Sequence, residues 1–344
     1  MASLLTNAAA MTALQTLNST NRSMDTTQNR ISTGLRIATA SEGAAYWSIA
    51  TTMRSDNKAL SAVQDALGLG AATVDVQYTA LDGTVDQLSE IKKLLTSAKT
   101  PGVNRGQIQA DIDARLGQME SIASSAVFNS ENWLSVDSSA TGYNDTKQIV
   151  ASFTRVGDSI TIETIDVSVA EIKLYDGSTT ATAVGTAPAA DATGAAAGVV
   201  KVGGEGLFDA EYSVTVENAP VGTAAPTYTA ITLSIEDLDI SELTDSAADQ
   251  AKLTAYIEIV DAALGQLTDA AANLGAVKNR VDTQKDFVKA LTDAVTRGIG
   301  QLVDADMNAE STRLQALQVQ QQLGIQALSI ANSNSQNILS LFRG

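Results

Sequence analysis

Few residues in this chain of 344 amino acids have the type and spacing to do chemistry. DADMNAE, residues 304–310, begins like a calcium loop, D-x-D-x-N, in which oxygen donors alternate around a tight turn. Ala309 stands where that loop needs glycine and Gln315 where it needs a bidentate glutamate, so the segment reads as a polar helix start. VGGEG, residues 202–206, has glycines but no Lys-Ser or Lys-Thr after them and no helix to follow, which makes it a turn between strands. No S-x-x-K stands in a context that would activate its serine, and carboxylate pairs such as Asp111 and Asp113 fit a helix surface. With no Cys and no His, thiol nucleophiles, disulfides, ordinary zinc sites and the commonest general base are all absent. The expectation is a protein without catalytic, cofactor or metal site.

Composition narrows the partners. A net charge of −17 would repel a nucleic-acid backbone or an anionic membrane, so neither is expected as a partner. No apolar run reaches the length of about 18 residues needed to span a bilayer, and the N-terminal stretch lacks the basic region and unbroken apolar core of a cleaved secretory signal.

The elements that must position anything functional are long helices. Met53, Leu60, Leu67, Val74, Leu81, Leu88 and Leu95 recur every seven residues, with Ile49, Val63, Ile91 and Ala98 on a second row, and the pattern stops at Thr100-Pro101-Gly102. A second heptad runs through Leu253, Val260, Leu267, Leu274, Val281, Val288, Val295 and Leu302, with Ile257, Leu264, Ala271, Lys278 and Lys285 beside it. Each stripe is on the order of 70–75 Å long at a rise of about 1.5 Å per residue, so the two can lie side by side. Ile108, Ile112, Leu116, Met119, Ile122 and Ala126 predict a shorter helix returning along the first, and Trp133 is expected in the core. SITIETIDVSV, EYSVTVE and YTAITLSIE alternate like strands between glycine-rich turns, which places a β block between two helical regions that need each other and predicts that it projects from them.

The two ends are of a third kind. Residues 1–21 and 314–342 carry no charged side chain. The C-terminal segment keeps a 3,4 spacing through Val303, Met307, Glu310, Leu314, Leu317, Gln321, Gly324, Leu328, Ala331, Ser335, Ile338 and Phe342. A second apolar stripe, with Ala316, Val319, Leu323, Ala327, Ile330 and Leu341, occupies another face. Leu4, Met11, Leu14, Leu17, Met24 and Ile31 are expected to supply the partner stripe from the other end. Two such helices cannot cover each other on all sides, which predicts further copies of the same chain around them. The heptad phase slips beside Gly298 and Gly300, where a bend is expected. Its counterpart is ISTGLRIATASEGAAYWSIATTMR, residues 31–54, in which Gly34, Leu35, Arg36 and Gly43 form a joint and Tyr46 and Trp47 pack at the start of the long helix.

These segments resemble bacterial flagellin. NRISTGLRIATASEGAAYWSIATTMR is similar to that family's R-L-S-T/S-G-L-R-I-N-x-A-x-D-D-A-A-G-x-x-I, and NLGAVKNRV, DADMNAEST and IANSNSQNILSLFRG match its C-terminal motifs in order. Residues 141–240 carry no such resemblance. The resemblance implies a mainly α fold with an inserted β domain: residues 1–40 and 301–344 as paired terminal helices of a filament core, 41–140 and 246–300 as a long-helix bundle, and 141–245 as an outer, variable β-rich domain. It implies a self-polymerising subunit of the extracellular flagellar filament, secreted through the flagellar type III export apparatus with an export chaperone, and meeting filament cap and hook-junction proteins. Core assembly would fall to Leu4, Met11, Leu14, Leu17, Met24, Ile31, Leu314, Leu317, Leu323, Leu328, Ile330, Ile338 and Phe342. Departures are Ala38, Ser41 and Glu42 for the family's Asn and paired Asp, and Tyr46-Trp47 for its Gly-Leu. QLSEIKKLLTSA resembles the segment read by the vertebrate innate flagellin receptor, through Leu88, Glu90, Ile91, Lys93 and Leu94, but Glu90 replaces an Arg and Lys93 a Glu, which predicts weakened recognition. A hook–filament junction protein and a secreted coiled-coil adhesin are the competing readings.

Overall fold

The computed structural model describes residues 7–157, 159–178, 199–203, 205–218 and 227–341. Its elements in order are α1 (Ala8–Thr33), α2 (Ala40–Ala98), α3 (Arg105–Ser125), β1 (Ser135–Val136), β2 (Thr146–Val156), β3 (Ser159–Ser168), β4 (Tyr175–Asp176), β5 (Val200–Gly203), β6 (Glu211–Asn218), β7 (Thr227–Ser234), α4 (Ala247–Val303) and α5 (Met307–Leu341). The fold is mainly α with a β-rich insertion. Contacts group it into two compact units, Met1–Ser61 with Ala290–Gly344, and Ala62–Lys289.

The unit Ala62–Lys289 is built on the heptads. Leu67, Val74, Leu81, Leu88 and Leu95 of α2 are fully buried, as are Val260, Leu267 and Val281 of α4. The second row of α2 continues through Gly70, Gln77, Thr84, Ile91 and Ala98, so its middle is small or polar rather than aliphatic. Gln77 is buried and its Nε2 donates to the Ala126 carbonyl at 2.8 Å, while the Thr84 hydroxyl donates to the Ala80 carbonyl at 2.7 Å. Gln77 Nε2 and the Thr84 hydroxyl are thus supplied with partners, whereas Gln77 Oε1 is buried with none among the described residues. On α4 the second buried row is Ala263 and Ala270, one residue before the expected Leu264 and Ala271. Small side chains on that row let the helices approach, and Lys278 is freed to pair with Asp75 at 2.5 Å over the Tyr78 ring.

Helix α3 runs from Asn104, which caps it by accepting the Gln107 amide, and buries Arg105, Gln109, Ile112, Met119 and Ala123. Two of these are polar and act as pins. Arg105 donates to the carbonyls of Ala98 and Leu243 and pairs with Asp245 at 2.6 Å, so one guanidinium holds the end of α2 to the segment leading into α4. Gln109 donates to the Leu238 carbonyl and accepts the Ile240 amide. Sequence periodicity could not find these residues, because it weighs apolar positions only.

Among the described residues the strands form three small sheets: a parallel pair β1–β4, an antiparallel hairpin β2–β3, and an antiparallel β5–β6–β7. Strand β2 escapes a simple alternation pattern because a bulge between Val150 and Ser152 shifts its register. The block does not stand away from the helices. Ile149 of β2, paired with Ile165 of β3, lies over Gly70 of α2, and Gln284 of α4 donates to the Ala151 carbonyl at 3.1 Å. The hairpin's apolar face needs a cover that a two-stranded ribbon cannot supply itself, and the helices provide it. Trp133 is 2 % exposed, as expected, with Nε1 donating to Glu131.

A Cβ on Gly70 would sit 2.4 Å from Ile149 Cγ2, inside any permitted contact. Gly70→Ala should therefore lower unfolding stability by ~1–3 kcal/mol despite alanine's better helix propensity, read from urea denaturation followed by circular dichroism.

Candidate assembly surface

The second unit contains the charge-free ends. Asn7 caps α1 by accepting the Ala10 amide, and its Nδ2 donates to the Ala331 carbonyl on α5 at 2.9 Å. From there the two helices run antiparallel: Leu17 meets Gly324, Gln321 donates to Asn21 at 2.9 Å, and Arg30 pairs with Glu310 at 3.0 Å. Basic Arg30 lies in the last turn of α1 and acidic Glu310 in the first turn of α5, so each charge also offsets its own helix dipole. Arg30 Nε and Glu310 Oε2 are buried without a partner among the described residues.

Helix α5 separates its two stripes. Glu310 and Leu317 are buried, and Leu314, Gln321, Gly324, Leu328 and Ala331 are half-buried, all on the 3,4 seam facing α1, while Val303, expected at the start of that seam, is the buried last residue of α4. Val319, Leu323 and Ile330 are 55, 58 and 62 % exposed. Met307, expected on the seam, is 45 % exposed at the first turn.

Helix α1 corrects its expected stripe. Leu17, Met24 and Ile31 are half-buried against α5 together with buried Thr20 and Thr27, whereas Met11 and Leu14 are 65 and 49 % exposed. The reason is rotation: Leu17, Met24 and Ile31 repeat every seven residues, while Leu14 and Met11 step back by three and fan away around the cylinder. The inner positions are filled by Ala10, Ala13, Thr20 and Thr27, small residues that let the helices close up. Leu4 and Phe342, and the side chain of Ile338, lie outside the described residues.

Both connectors turn together. Gly34 ends α1 with φ 71°, the left-handed conformation that glycine adopts without strain, and its amide returns to the Arg30 carbonyl at 2.8 Å. Leu35 then pairs with Asp304 as a single antiparallel bridge, with Ala305 N–H donating to the Gly34 carbonyl and Arg36 N–H to the Val303 carbonyl. The Arg36 guanidinium donates to the Leu302 carbonyl at 2.8 Å. Beneath the bridge Ile37, Ala50, Ile299 and Val303 form a buried cluster, with Leu35, Trp47, Met53, Val295 and Leu302 packed on it. Gly34, Leu35, Arg36 and Trp47 are thus brought together, and Gly43 joins them by lying against Ile37, where a Cβ would sit 3.2 Å from Cδ1. Tyr46 is not: it is 52 % exposed, one residue and about 100° away from the face that Trp47 buries.

The helix break also falls later than expected. α4 continues through Gly298 and Gly300 to Val303, and the interruption is Asp304–Asp306. Gly300 makes room rather than a bend, since a Cβ there would lie 2.7 Å from Asp304 Oδ2. DADMNAE is a helix start, as its sequence predicts, with Asp306 Oδ1 accepting the amides of Asn308 and Ala309.

In the other unit, Leu88 and Ile91 are core residues at 0 % exposure and present nothing to a partner. Glu90 pairs with Lys93 at 3.1 Å and lies 3.9 Å from Arg115, leaving this charged pair and half-buried Leu94 on the outer face. Lys173, which the sequence did not single out, is buried 3.1 Å from Asp176 and 3.5 Å from Glu205. Burial depresses its pKa, but Asp176, Asp145 and Glu205 outweigh that and the net direction is upward. Lys201 beside it donates to the carbonyls of Glu205 and Gly206, so the charges lining this hollow serve the protein itself.

Residues 4–139 match the family described as the bacterial flagellin N-terminal helical region, and residues 257–342 its C-terminal helical region. The chain belongs to the bacterial flagellin family. Flagellin C of Rhizobium meliloti (strain 1021) is 46 % identical over the whole of both chains. Flagellin A of Rhizobium meliloti is 44 % identical and the flagellin of Brucella melitensis biotype 1 is 41 %, again over the full length of both. As a flagellin, the protein is a structural subunit of the extracellular flagellar filament, and no helix among the described residues is long and apolar enough to cross a membrane.

Glu42 ties the joint to the start of α2 by accepting the amides of Ala38 and Thr39, at 2.7 and 3.3 Å. These two bonds, aided by the Arg30 charge, hold its carboxyl below the usual range. A lowered pKa contributes stability above the unfolded value that is lost as pH falls through the folded one. Amide-exchange protection at Ala38 and Thr39 should therefore persist through the ordinary carboxylate range, fall only below it, and be lost at neutral pH in Glu42→Ala, which removes the acceptor.

Proposed function

We propose that the exposed stripe of α1 and α5, led by Met11, Leu14, Val319, Leu323 and Ile330, is the surface on which copies of this flagellin pack into the filament core. The observation that carries this is the division of α5 into a seam buried by α1 and a second apolar stripe left in solvent. A soluble helix normally presents charge on its outer face, and this one presents none from 314 to 342. In this reading residues 1–40 and 301–344 form the inner layer, 41–140 and 246–300 the helical layer around it, and 141–245 the outer β-rich part. Gly34, Leu35, Arg36, Gly43 and Trp47 then act as the joint between layers, since both connectors turn there on a shared bridge. The chain travels to the filament tip through the flagellar export apparatus with an export chaperone, and adjoins the cap and hook-junction proteins.

Replacing Leu323 and Ile330 with serine removes two exposed side chains whose burial is worth ~1.5–3 kcal/mol each. The double variant should keep the helical content of the monomer while its critical concentration for polymerisation, measured by sedimentation, rises by at least about tenfold. Unchanged polymerisation would remove the proposed surface.

The exposed Glu90–Lys93 pair supports a second proposal, that the innate flagellin receptor reads this chain poorly, because a carboxylate now occupies the position of an arginine anchor. Titrating receptor signalling with monomer should give a weak response that Glu90→Arg with Lys93→Glu strengthens.

A further inference from the structure

Two lysines border the hollow of about 540 Å³ between the β block and α4, and their surroundings differ. Lys173 is paired with Asp176, Glu205 and Asp145 at 3.1, 3.5 and 3.7 Å, which keeps its ammonium charged. Lys201 has no carboxylate in ion-pair range among the described residues. A shift of register in β5 between Lys201 and Gly203 turns the chain back, and Lys201 Nζ donates to the carbonyls of Glu205 and Gly206 at 3.1 and 3.0 Å. Two acceptors satisfy only two of the three donors of an ammonium, whereas they match both N–H bonds of a neutral amine and leave its lone pair free. Burial lowers the pKa of Lys201; Asp209 and Glu205 oppose that and the Lys173 charge adds to it, with the net direction downward.

We propose that Lys201 is a modification site, a reactive amine that condenses with small uncharged hydroxy-aldehydes entering the hollow. The other walls select that class. Glu171, Glu205 and Asp269 repel a carbonyl compound that carries its own negative charge, and the Gln266 amide on α4 offers hydrogen bonds to a hydroxyl. In the reaction the Nζ lone pair adds to the carbonyl carbon, the carbonyl π pair moves to oxygen, and a proton passes from nitrogen to that oxygen. The resulting carbinolamine loses its hydroxyl with the second nitrogen proton as water. One amine and one aldehyde thus give one imine and one water, with no oxidant, reductant or cofactor. The imine nitrogen carries no hydrogen, so the bonds to Glu205 and Gly206 are lost and the turn that they hold is released.

The test treats the full-length monomer at neutral pH with glycolaldehyde and cyanoborohydride, which reduces the imine to a stable secondary amine, and follows each lysine by peptide mass spectrometry. Lys201 should be labelled several-fold faster than Lys93, whose side chain is 74 % exposed, and this advantage should vanish in urea. With glyoxylate, which carries a carboxylate in place of the hydroxymethyl group, the ratio of Lys201 to Lys93 labelling should fall several-fold. Asp269→Asn, a change at an exposed position of α4, should restore part of it. Labelling of Lys201 no faster than of Lys93, or an advantage that persists in urea, would overturn the reactive amine. An equal ratio for the two aldehydes, or a glyoxylate ratio that Asp269→Asn leaves unchanged, would overturn the selection by charge.

Discussion

The bridge between Leu35 and Asp304 is the constraint on which the unit of the two ends depends. It is one pair of residues, yet it fixes where both connectors turn, and the register of α1 on α5 follows from it: Arg30 on Glu310, Asn21 against Gln321, Asn7 against Ala331. A shift of one residue would rotate α5 by about 100° and carry Leu317 out of its seam. The polar partners act as register marks because they tolerate no other alignment, while the small side chains between them would tolerate several.

Periodicity made most of this fold legible. Seven-residue repeats located α2 and α4, and the 3,4 spacing of α5 identified both the face that α1 covers and the face that it does not. On α1 the same reasoning failed for Met11 and Leu14, because it collected the large apolar residues and passed over Ala10, Ala13, Thr20 and Thr27. Where two helices approach closely, the contact face is the one with small side chains, and the large ones are displaced to its flanks. The second row of α4 was misplaced by one residue for the same reason, with Ala263 and Ala270 inside and Leu264 beside them.

Polar pins were not legible. Arg105, Gln109 and Gln77 are surface-type residues by sequence, and each is buried because a backbone carbonyl from a distant segment meets it. No local pattern announces a partner more than a hundred positions away, as Leu243 is from Arg105. The joint lay between these extremes. Its glycines and Arg36 were visible, but the sequence could not show that Trp47 turns inward and Tyr46 outward, since adjacent helical residues are similar in type and differ only in phase.

The hydrogen bond from Asn7 to Ala331 spans 324 residues of chain. Helix α1 precedes its partner by the whole stretch from Gly34 to Asp306, so at ordinary elongation rates it waits roughly 15–60 s on the ribosome before the pairing can form. Closing so long a loop adds only a slowly growing entropic cost, and the delay is one of order, not of stability. The pairing of α1 with α5 therefore reports that synthesis has passed α5: a product truncated before it would leave α1 with no seam to fill.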